Sequence, residues 1–343
     1  MPLFATRAAR VLMGLALPMT WFAPAAAQTT LALSAWVPPT HALTTTQVEW
    51  CEMLAQKVPG KIKCNALPRA VAAPPGTFDA VRNGLADISF AVHGYTPSRF
   101  VTPQLAEFPF LGNSSETVSV AFQRIYAKYP AMAEEHKGVK VLAVFTHGPG
   151  IVFNTKRPIT KVEDLSGLKF RVGGGMVNEI SKTLGMNVTL KPAPESYELL
   201  STGVMDGTLF PAESAESFKI EKIIRYATTF PGGLYNTSFA FVMNQAKYDS
   251  LPPDVKKAID EMSGEFLARM AGRAWDKADR RGTALMLANG VEFTKADPAF
   301  VNAVKAKTAG LEDNWVKAAE ARGLKDPKKV LADFRAEISK LEK

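Results

Sequence analysis

The sequence predicts an α/β fold of two Rossmann-like lobes that enclose a ligand cleft, with hinge strands and a long C-terminal bracing helix. Three observations lead to this prediction. A motif of proline, aromatic residue, glycine and aspartate occurs twice, 119 residues apart. Short apolar strands alternate with amphipathic helices around each copy, and a long helical pattern follows the second copy. Such alternation favours parallel sheets covered by helices.

Residues 1–27 have the features of a secretory signal peptide. Arg7 and Arg10 precede the apolar run of residues 11–19, and the three alanines at positions 25–27 suit a cleavage site. The run is too short to span a bilayer, so we expect an exported protein. The formal net charge is +8, without a basic block interleaved with aromatic residues, which argues against nucleic-acid binding.

The two copies of the repeat share their spacing. The first copy consists of Pro75, Phe78, Gly84 and Asp87, and the second of Pro194, Tyr197, Gly203 and Asp206. In each copy the proline starts an amphipathic helix, the glycine ends it and an apolar strand follows. Both aspartates lie before their strand, away from the strand ends, and we predict that they stabilise turns rather than form a catalytic pair.

Further elements precede each copy. We predict a strand, a helix and a strand at residues 30–35, 44–57 and 62–67, and the same order at residues 168–172, 176–184 and 188–190. These units assign residues 28–145 mainly to the first lobe and residues 146–240 mainly to the second. Residues 241–343 are assigned to a crossover strand, the bracing helix and C-terminal helices.

The bracing helix begins with cap and proline chemistry at residues 250–254. Its apolar period continues to about Leu287, long enough to contact both lobes. Residues 291–294 suit an edge strand, and two helical segments, 298–319 and 327–341, complete the chain.

The cysteines and histidines do not form a recognisable catalytic or metal motif. Cys51 and Cys64 are compatible with a disulfide or with two buried thiols. The four histidines are scattered, and His136 lies in a charged segment that predicts solvent exposure. We expect no cofactor and no metal.

Arg171 is the main binding candidate. It lies at the end of a predicted strand, before three glycines and a helix. Ligands bind beyond the carboxyl ends of such strands, and a helix N-terminus there attracts anions. An ordinary ion pair at a sheet edge is the alternative.

Several segments together resemble the solute-binding proteins of TRAP transporters, the DctP family. They are the signal peptide, Glu107–Leu111, Pro158–Val172 and Gly203–Gly207 followed by Pro211. The resemblance implies a periplasmic receptor, not an enzyme, that closes two lobes around a small organic acid. It also implies delivery to the small and large membrane subunits of a permease, and a paired salt bridge between Arg171 and the ligand carboxylate. We expect a monomer.

The sequence departs from this family at two positions. Phe210 stands where many relatives have a polar residue, often asparagine, and Ile151 lies near the position of a second arginine. Because unpaired polar ligand groups are costly to bury, these differences predict a monocarboxylate with an apolar or aromatic body.

The remaining candidate wall residues follow from the strand ends and from their proximity to Arg171. They are Trp36, His93, Tyr95, Gly173, Gly174, Arg69, Tyr235, Asn236 and Phe239. Core or hinge packing is the alternative for Trp36, His93 and Tyr95, and a surface loop charge is the alternative for Arg69.

Two other functions stay open at this point. The chain could serve an ABC transporter or a sensor, because the lobes would look alike and partner patches are not readable in the sequence. An exported hydrolase is also possible, since a nucleophile can be assembled by folding. The identity of the acid is not determined.

Overall fold

A computed structural model describes residues 28–342 of the protein. The expected signal peptide lies outside the described residues. Within them the strands are β1 Thr29–Leu33, β2 Ile62–Ala66, β3 Ile88–Val92, β4 Val139–Thr146, β5 Ile151–Asn154, β6 Lys169–Val172, β7 Asn187–Leu190, β8 Gly207–Phe210, β9 Tyr226–Thr229, β10 Ser238–Asn244 and β11 Glu292–Lys295. The helices are α1 Ala42–Lys57, α2 Thr77–Arg82, α3 Ser115–Lys128, α4 Met176–Thr183, α5 Ser196–Ser201, α6 Glu213–Ser217, α7 Gln245–Asp249, α8 Pro253–Glu261, α9 Glu265–Ala288, α10 Pro298–Thr308, α11 Gly310–Ala321 and α12 Pro327–Leu341.

The strands form two sheets, one in each lobe. The first sheet has the order β2-β1-β3-β10-β4, and the second has the order β7-β6-β8-β5-β9-β11. The repeated units have the same topology, because β1 pairs in parallel with β2 and β3 just as β6 pairs in parallel with β7 and β8. The predicted edge strand is confirmed as β11.

The aspartates of the repeat occupy equivalent positions. Asp87 accepts a hydrogen bond from the Ala32 N–H at 2.7 Å, and Asp206 accepts one from the Lys169 N–H at 2.9 Å. Each carboxylate therefore ties the start of one strand to its parallel neighbour, which confirms the turn-stabilising role.

Among the strands of residues 28–342, parallel pairing is limited to the repeated units and to the β9–β11 pair. Strand β10 lies antiparallel between β3 and β4, and β5 lies antiparallel between β8 and β9. The chain passes from the first sheet to the second through residues 147–150 and returns through residues 230–237. Strand β5 follows the first passage and β10 follows the second. Each therefore enters its sheet from the other lobe and runs opposite to its neighbours.

The predicted single long helix is wrong, since it is two helices, α8 and α9. The break falls at Gly264, whose φ of 63° is a left-handed conformation that favours glycine. The Gly264 N–H donates to Leu142 O at 2.6 Å, which fixes the bend against β4. Helix α9 still braces both lobes, because it contacts α1, α3 and β4 on one side and α6 on the other.

The two cysteines form a disulfide. Cys51 in α1 is bonded to Cys64 in β2, with their Cα atoms 6.0 Å apart. The bond ties the first helix to the strand that follows it. Of the two possibilities compatible with the sequence, the structure has the crosslinked one.

Candidate functional site

The cleft between the lobes has mostly apolar and aromatic walls. Including the part open to solvent, it encloses about 510 Å³. Its walls come from strand ends of both sheets and from α9. The lining residues are Trp36, His41, Leu43, Val92, Tyr95, His147, Arg171, Gly173, Gly174, Val177, Ala193, Leu209, Phe210, Pro211, Ser214, Phe218, Tyr235, Thr237, Phe239 and Trp275.

Arg171 is the charged group of this cleft. Strand β6 places it at the edge where the parallel strands end, and its side chain is 1% exposed. The Nε–H donates to Lys191 O at 2.8 Å, and the guanidinium carbon lies 4.5 Å from the centre of the Phe210 ring. Among residues 28–342 no carboxylate lies within 4.0 Å of it, so the sheet-edge ion pair does not form.

Two tyrosine hydroxyls accompany this buried cation. Burial lowers the pKa of Arg171 and raises those of Tyr95 and Tyr235. The guanidinium still stays charged at neutral pH and both phenols stay protonated. The Tyr95 oxygen accepts the Ala193 N–H at 2.9 Å, which leaves its own proton available. The site thus offers hydrogen-bond donors to an anion.

The N-terminus of α4, expected to help hold the ligand, already binds one carboxylate of the protein. The Met176 N–H donates to a carboxylate oxygen of Glu107, on the other lobe, at 2.9 Å. The other oxygen of Glu107 accepts from the N–H and hydroxyl of Ser238 at 3.1 and 2.7 Å. Glu107 therefore takes the first N–H of this helix, and Gly173 and Gly174 line the cleft beside it.

Eight of the eleven predicted site residues lie on the cleft. They are Arg171, Phe210, Trp36, Tyr95, Gly173, Gly174, Tyr235 and Phe239. His93, Arg69 and Asn236 do not line it, and their positions correct the expectation that they face the ligand.

His93 belongs to a buried network behind the cleft. Its Nδ1 lies 2.9 Å from the Ser238 hydroxyl oxygen, and its Nε2 lies 2.9 Å from Nε2 of His136. The prediction of a solvent-exposed His136 is wrong, because this side chain is 2% exposed and packs against Phe100. Burial lowers the pKa of both histidines, and that of His136 falls to about 4.

The other two residues are held elsewhere. Arg69 is exposed on the loop that follows β2. Asn236 is buried, and with its amide oriented to satisfy its neighbours it donates to Gly148 O at 2.9 Å and to Tyr235 O at 3.2 Å, so it supports the connection between the sheets. Ile151, opposite Phe210 in the sheet, is also outside the lining.

Sequence reasoning missed four aromatic residues of the cleft: His41, His147, Phe218 and Trp275. The two histidines lie in segments that follow β1 and β4, so the strand-end rule would have found them. Trp275 lies within α9, where its helical period indicates only a buried position. Its ring is 5.3 Å from that of His41 and 5.8 Å from that of His147.

His41 joins the two lobes. Its Nδ1 accepts the Leu43 N–H at 3.1 Å, and its Nε2 lies 3.5 Å from a carboxylate oxygen of Glu213. Burial lowers the pKa of His41, and Glu213 opposes this effect. Both ring nitrogens therefore face protein partners.

Comparison with known proteins identifies the family of this chain. The sequence profile of bacterial extracellular solute-binding protein family 7, DctP, matches residues 33–318. The chain belongs to this family. It is a binding protein of the TRAP-transporter type and not an enzyme. The described part of the chain contains no helix that is both long and apolar enough to cross a membrane.

Three solved TRAP solute-binding proteins resemble this member of the DctP family over its length. One from Bordetella bronchiseptica, with bound (R)- and (S)-mandelate, is 45% identical, covers 91% of this chain and 99% of its own, and has a TM-score of 0.88. One from a marine metagenome, specific for aromatic acids and in complex with 3-hydroxybenzoate, is 34% identical, covers 92% and 99%, and has a TM-score of 0.86. One from Rhodoferax ferrireducens, with copurified benzoate, is 29% identical, with the same coverages and TM-score.

Proposed function

We propose that this protein is a periplasmic receptor that binds a monocarboxylate with an apolar or aromatic body through Arg171 and delivers it to a TRAP permease. The observation that carries the proposal is a buried guanidinium in an aromatic cleft, with no carboxylate within 4.0 Å among the described residues. An unpaired buried charge is costly. A ligand carboxylate supplies the missing partner.

The carboxylate binds the free edge of the Arg171 guanidinium as a bidentate pair. The hydroxyls of Tyr95 and Tyr235 add donors. The aromatic rings of Trp36 and Phe239 face the body of the ligand. Because none of the lining residues is Asp or Glu, the cleft does not compensate a cationic group on the ligand.

The ligands of the three relatives support this class of compound. Mandelate, 3-hydroxybenzoate and benzoate each join one carboxylate to one aromatic ring. A second carboxylate or a set of sugar hydroxyls would meet apolar walls here, at a cost in desolvation.

Ligand-driven closure is the mechanism of the proposed receptor. The lobes are taken as residues 28–145 and 146–240, with the crossover and bracing elements in residues 241–343. They contact each other through the Tyr95–Ala193 and Glu107–Met176 hydrogen bonds. A ligand that is held by both lobes favours the closed state. The closed receptor is then recognised by the small and large permease subunits. The receptor acts as a monomer, and residues 1–27 direct its export.

The test is calorimetric titration of mature protein that has been unfolded and refolded to remove copurified ligand. We expect saturable binding of benzoate and mandelate, and weak binding of succinate and glucuronate. Arg171→Ala should lower the affinity by about 2 to 5 kcal/mol, much of it from an unpaired buried carboxylate. Arg69→Ala, which removes an exposed arginine outside the cleft, is the control and should bind like the parent.

Two results would contradict the proposal. Unchanged affinity in Arg171→Ala would show that the carboxylate binds elsewhere. Preference for succinate or glucuronate would leave a binding protein but refute the aromatic monocarboxylate.

A further inference from the structure

His147 occupies the wall of the cleft between the anion site and α9. It follows β4 directly, and its side chain is 4% exposed. The ring packs edge-on against Tyr235, with centroids 5.4 Å apart, and lies 5.8 Å from Trp275. His147, Tyr235 and Arg171 all line the same cleft.

The contacts of His147 fix the position of its ring proton. Nδ1 lies 2.5 Å from Gly148 O, and a carbonyl oxygen can only accept a hydrogen bond, so Nδ1 carries the proton. Burial lowers the pKa of His147 to about 4, and the ring is therefore neutral at neutral pH. Nε2 is then a bare acceptor, and no donor among the described residues is hydrogen-bonded to it.

We propose that Nε2 of His147 accepts a hydrogen bond from a hydroxyl group of the ligand, so that the cleft selects hydroxylated aromatic acids over their unsubstituted analogues. This inference rests on the proposed function, because it assumes that an aromatic acid is bound at Arg171.

The chemistry of the site favours a hydroxyl group over other ligand groups. A second carboxylate would face a lone pair and be repelled, and an ether oxygen has no proton to donate. An ammonium group would meet no acidic side chain on the cleft walls. A neutral O–H is the group that satisfies the acceptor. Mandelate and 3-hydroxybenzoate, found in two relatives, both carry such a group.

The experiment compares two matched pairs of acids on the refolded full-length mature protein. The pairs are mandelate with phenylacetate and 3-hydroxybenzoate with benzoate, and the result is the ratio of dissociation constants within each pair. We expect the parent to prefer the hydroxylated acid of at least one pair by about 5- to 30-fold, the range of one hydrogen bond to a buried acceptor. His147→Phe should reduce that ratio to about one while it still binds the unsubstituted acid.

Two variants serve as controls. His147→Gln keeps an acceptor oxygen and should retain part of the preference. His41→Phe changes a cleft histidine whose two nitrogens already face protein partners, so the ratio should stay at the parent value even if both affinities fall.

A measurement on the parent protein covers the case in which a variant does not fold. In ¹⁵N-histidine NMR spectra, the Nε2 resonance of His147 should move upfield with the preferred hydroxylated acid and not with its analogue.

The outcomes separate the two proposals. Equal affinities within both pairs for the parent, or an unchanged preference in folded His147→Phe, would overturn the role of His147 and leave the receptor function standing. Failure of the parent to bind any of the four acids would overturn the proposed function, and the inference with it.

Discussion

At the scale of single residues, the surroundings of a side chain decide its role. Arg99, Arg124 and Arg269 all pair with carboxylates in the described structure. Arg171 instead has a backbone carbonyl, an aromatic ring and two phenols around it. It is the missing carboxylate partner, and not the arginine itself, that distinguishes this position as the proposed binding site.

Phe210 should contribute to affinity through Arg171. Phe210→Leu removes the cation–π contact, which is worth about 0.5 to 2 kcal/mol depending on desolvation. We therefore expect benzoate to bind about 2- to 30-fold more weakly, as measured by calorimetry. Phe300→Leu makes the same change in the buried core away from the cleft and should lower thermal stability without altering affinity. An unaltered dissociation constant in Phe210→Leu would refute the contribution of the ring.

At the scale of elements, the start of α4 serves contact between the lobes. Glu107 ends a 3₁₀ segment, Thr102–Glu107, in the first lobe and caps this helix in the second. Gly94 and Gly174 lie close together beside this cap, where a β-carbon on Gly94 would come within 2.7 Å of Gly174 O. The N-terminus of a helix favours a negative charge, and here that charge is the Glu107 carboxylate, which joins the lobes.

Replacing Glu107 should weaken closure. Its two oxygens accept three hydrogen bonds, and in Glu107→Gln the amide NH₂ must face either the Met176 N–H or the Ser238 donors. We expect about a tenfold loss of acid affinity, mostly as faster dissociation in stopped-flow experiments, since one unsatisfied buried donor costs about 1 to 3 kcal/mol. Asp297→Asn makes the same change at the N-cap of α10, where asparagine caps about as well as aspartate, and should leave dissociation unchanged. Parent-like dissociation in Glu107→Gln would argue against a closing role.

At the scale of the whole molecule, buried titratable groups set the pH dependence of stability. Burial lowers the pKa of His136 and of His147 to about 4, so the stability they contribute is present above pH 6.5 and is lost as pH falls towards 4. Burial raises the pKa of Asp279 to about 8, so its contribution is lost as pH rises towards 8. The two effects place maximum stability near pH 6.5.

Asp279→Asn isolates the alkaline side of this profile. The parent should lose unfolding free energy between pH 7 and 8, at a rate of up to about 1.4 kcal/mol per pH unit, because the unfolded histidines are mostly neutral there while Asp279 is still protonated only in the folded state. The variant should not show this loss in urea denaturation. Asp313→Asn, an exposed control, should keep the parent slope. A parent curve that stays level from pH 7 to 8 would contradict the assigned Asp279 ionisation.

The sequence by itself determined most of the elements, the repeat, and the position of Arg171 and seven other named residues on the cleft. Helical and strand periods are local, and residues at parallel strand ends share one edge wherever the strands lie. The tertiary structure decided the disulfide, the break at Gly264, and the burial of His93 and His136. It also brought Glu107 into contact with Met176 at the start of α4, 69 residues away in sequence, and His93 into contact with Ser238, 145 residues away. Such contacts depend on how the lobes pack, and no local pattern encodes that packing.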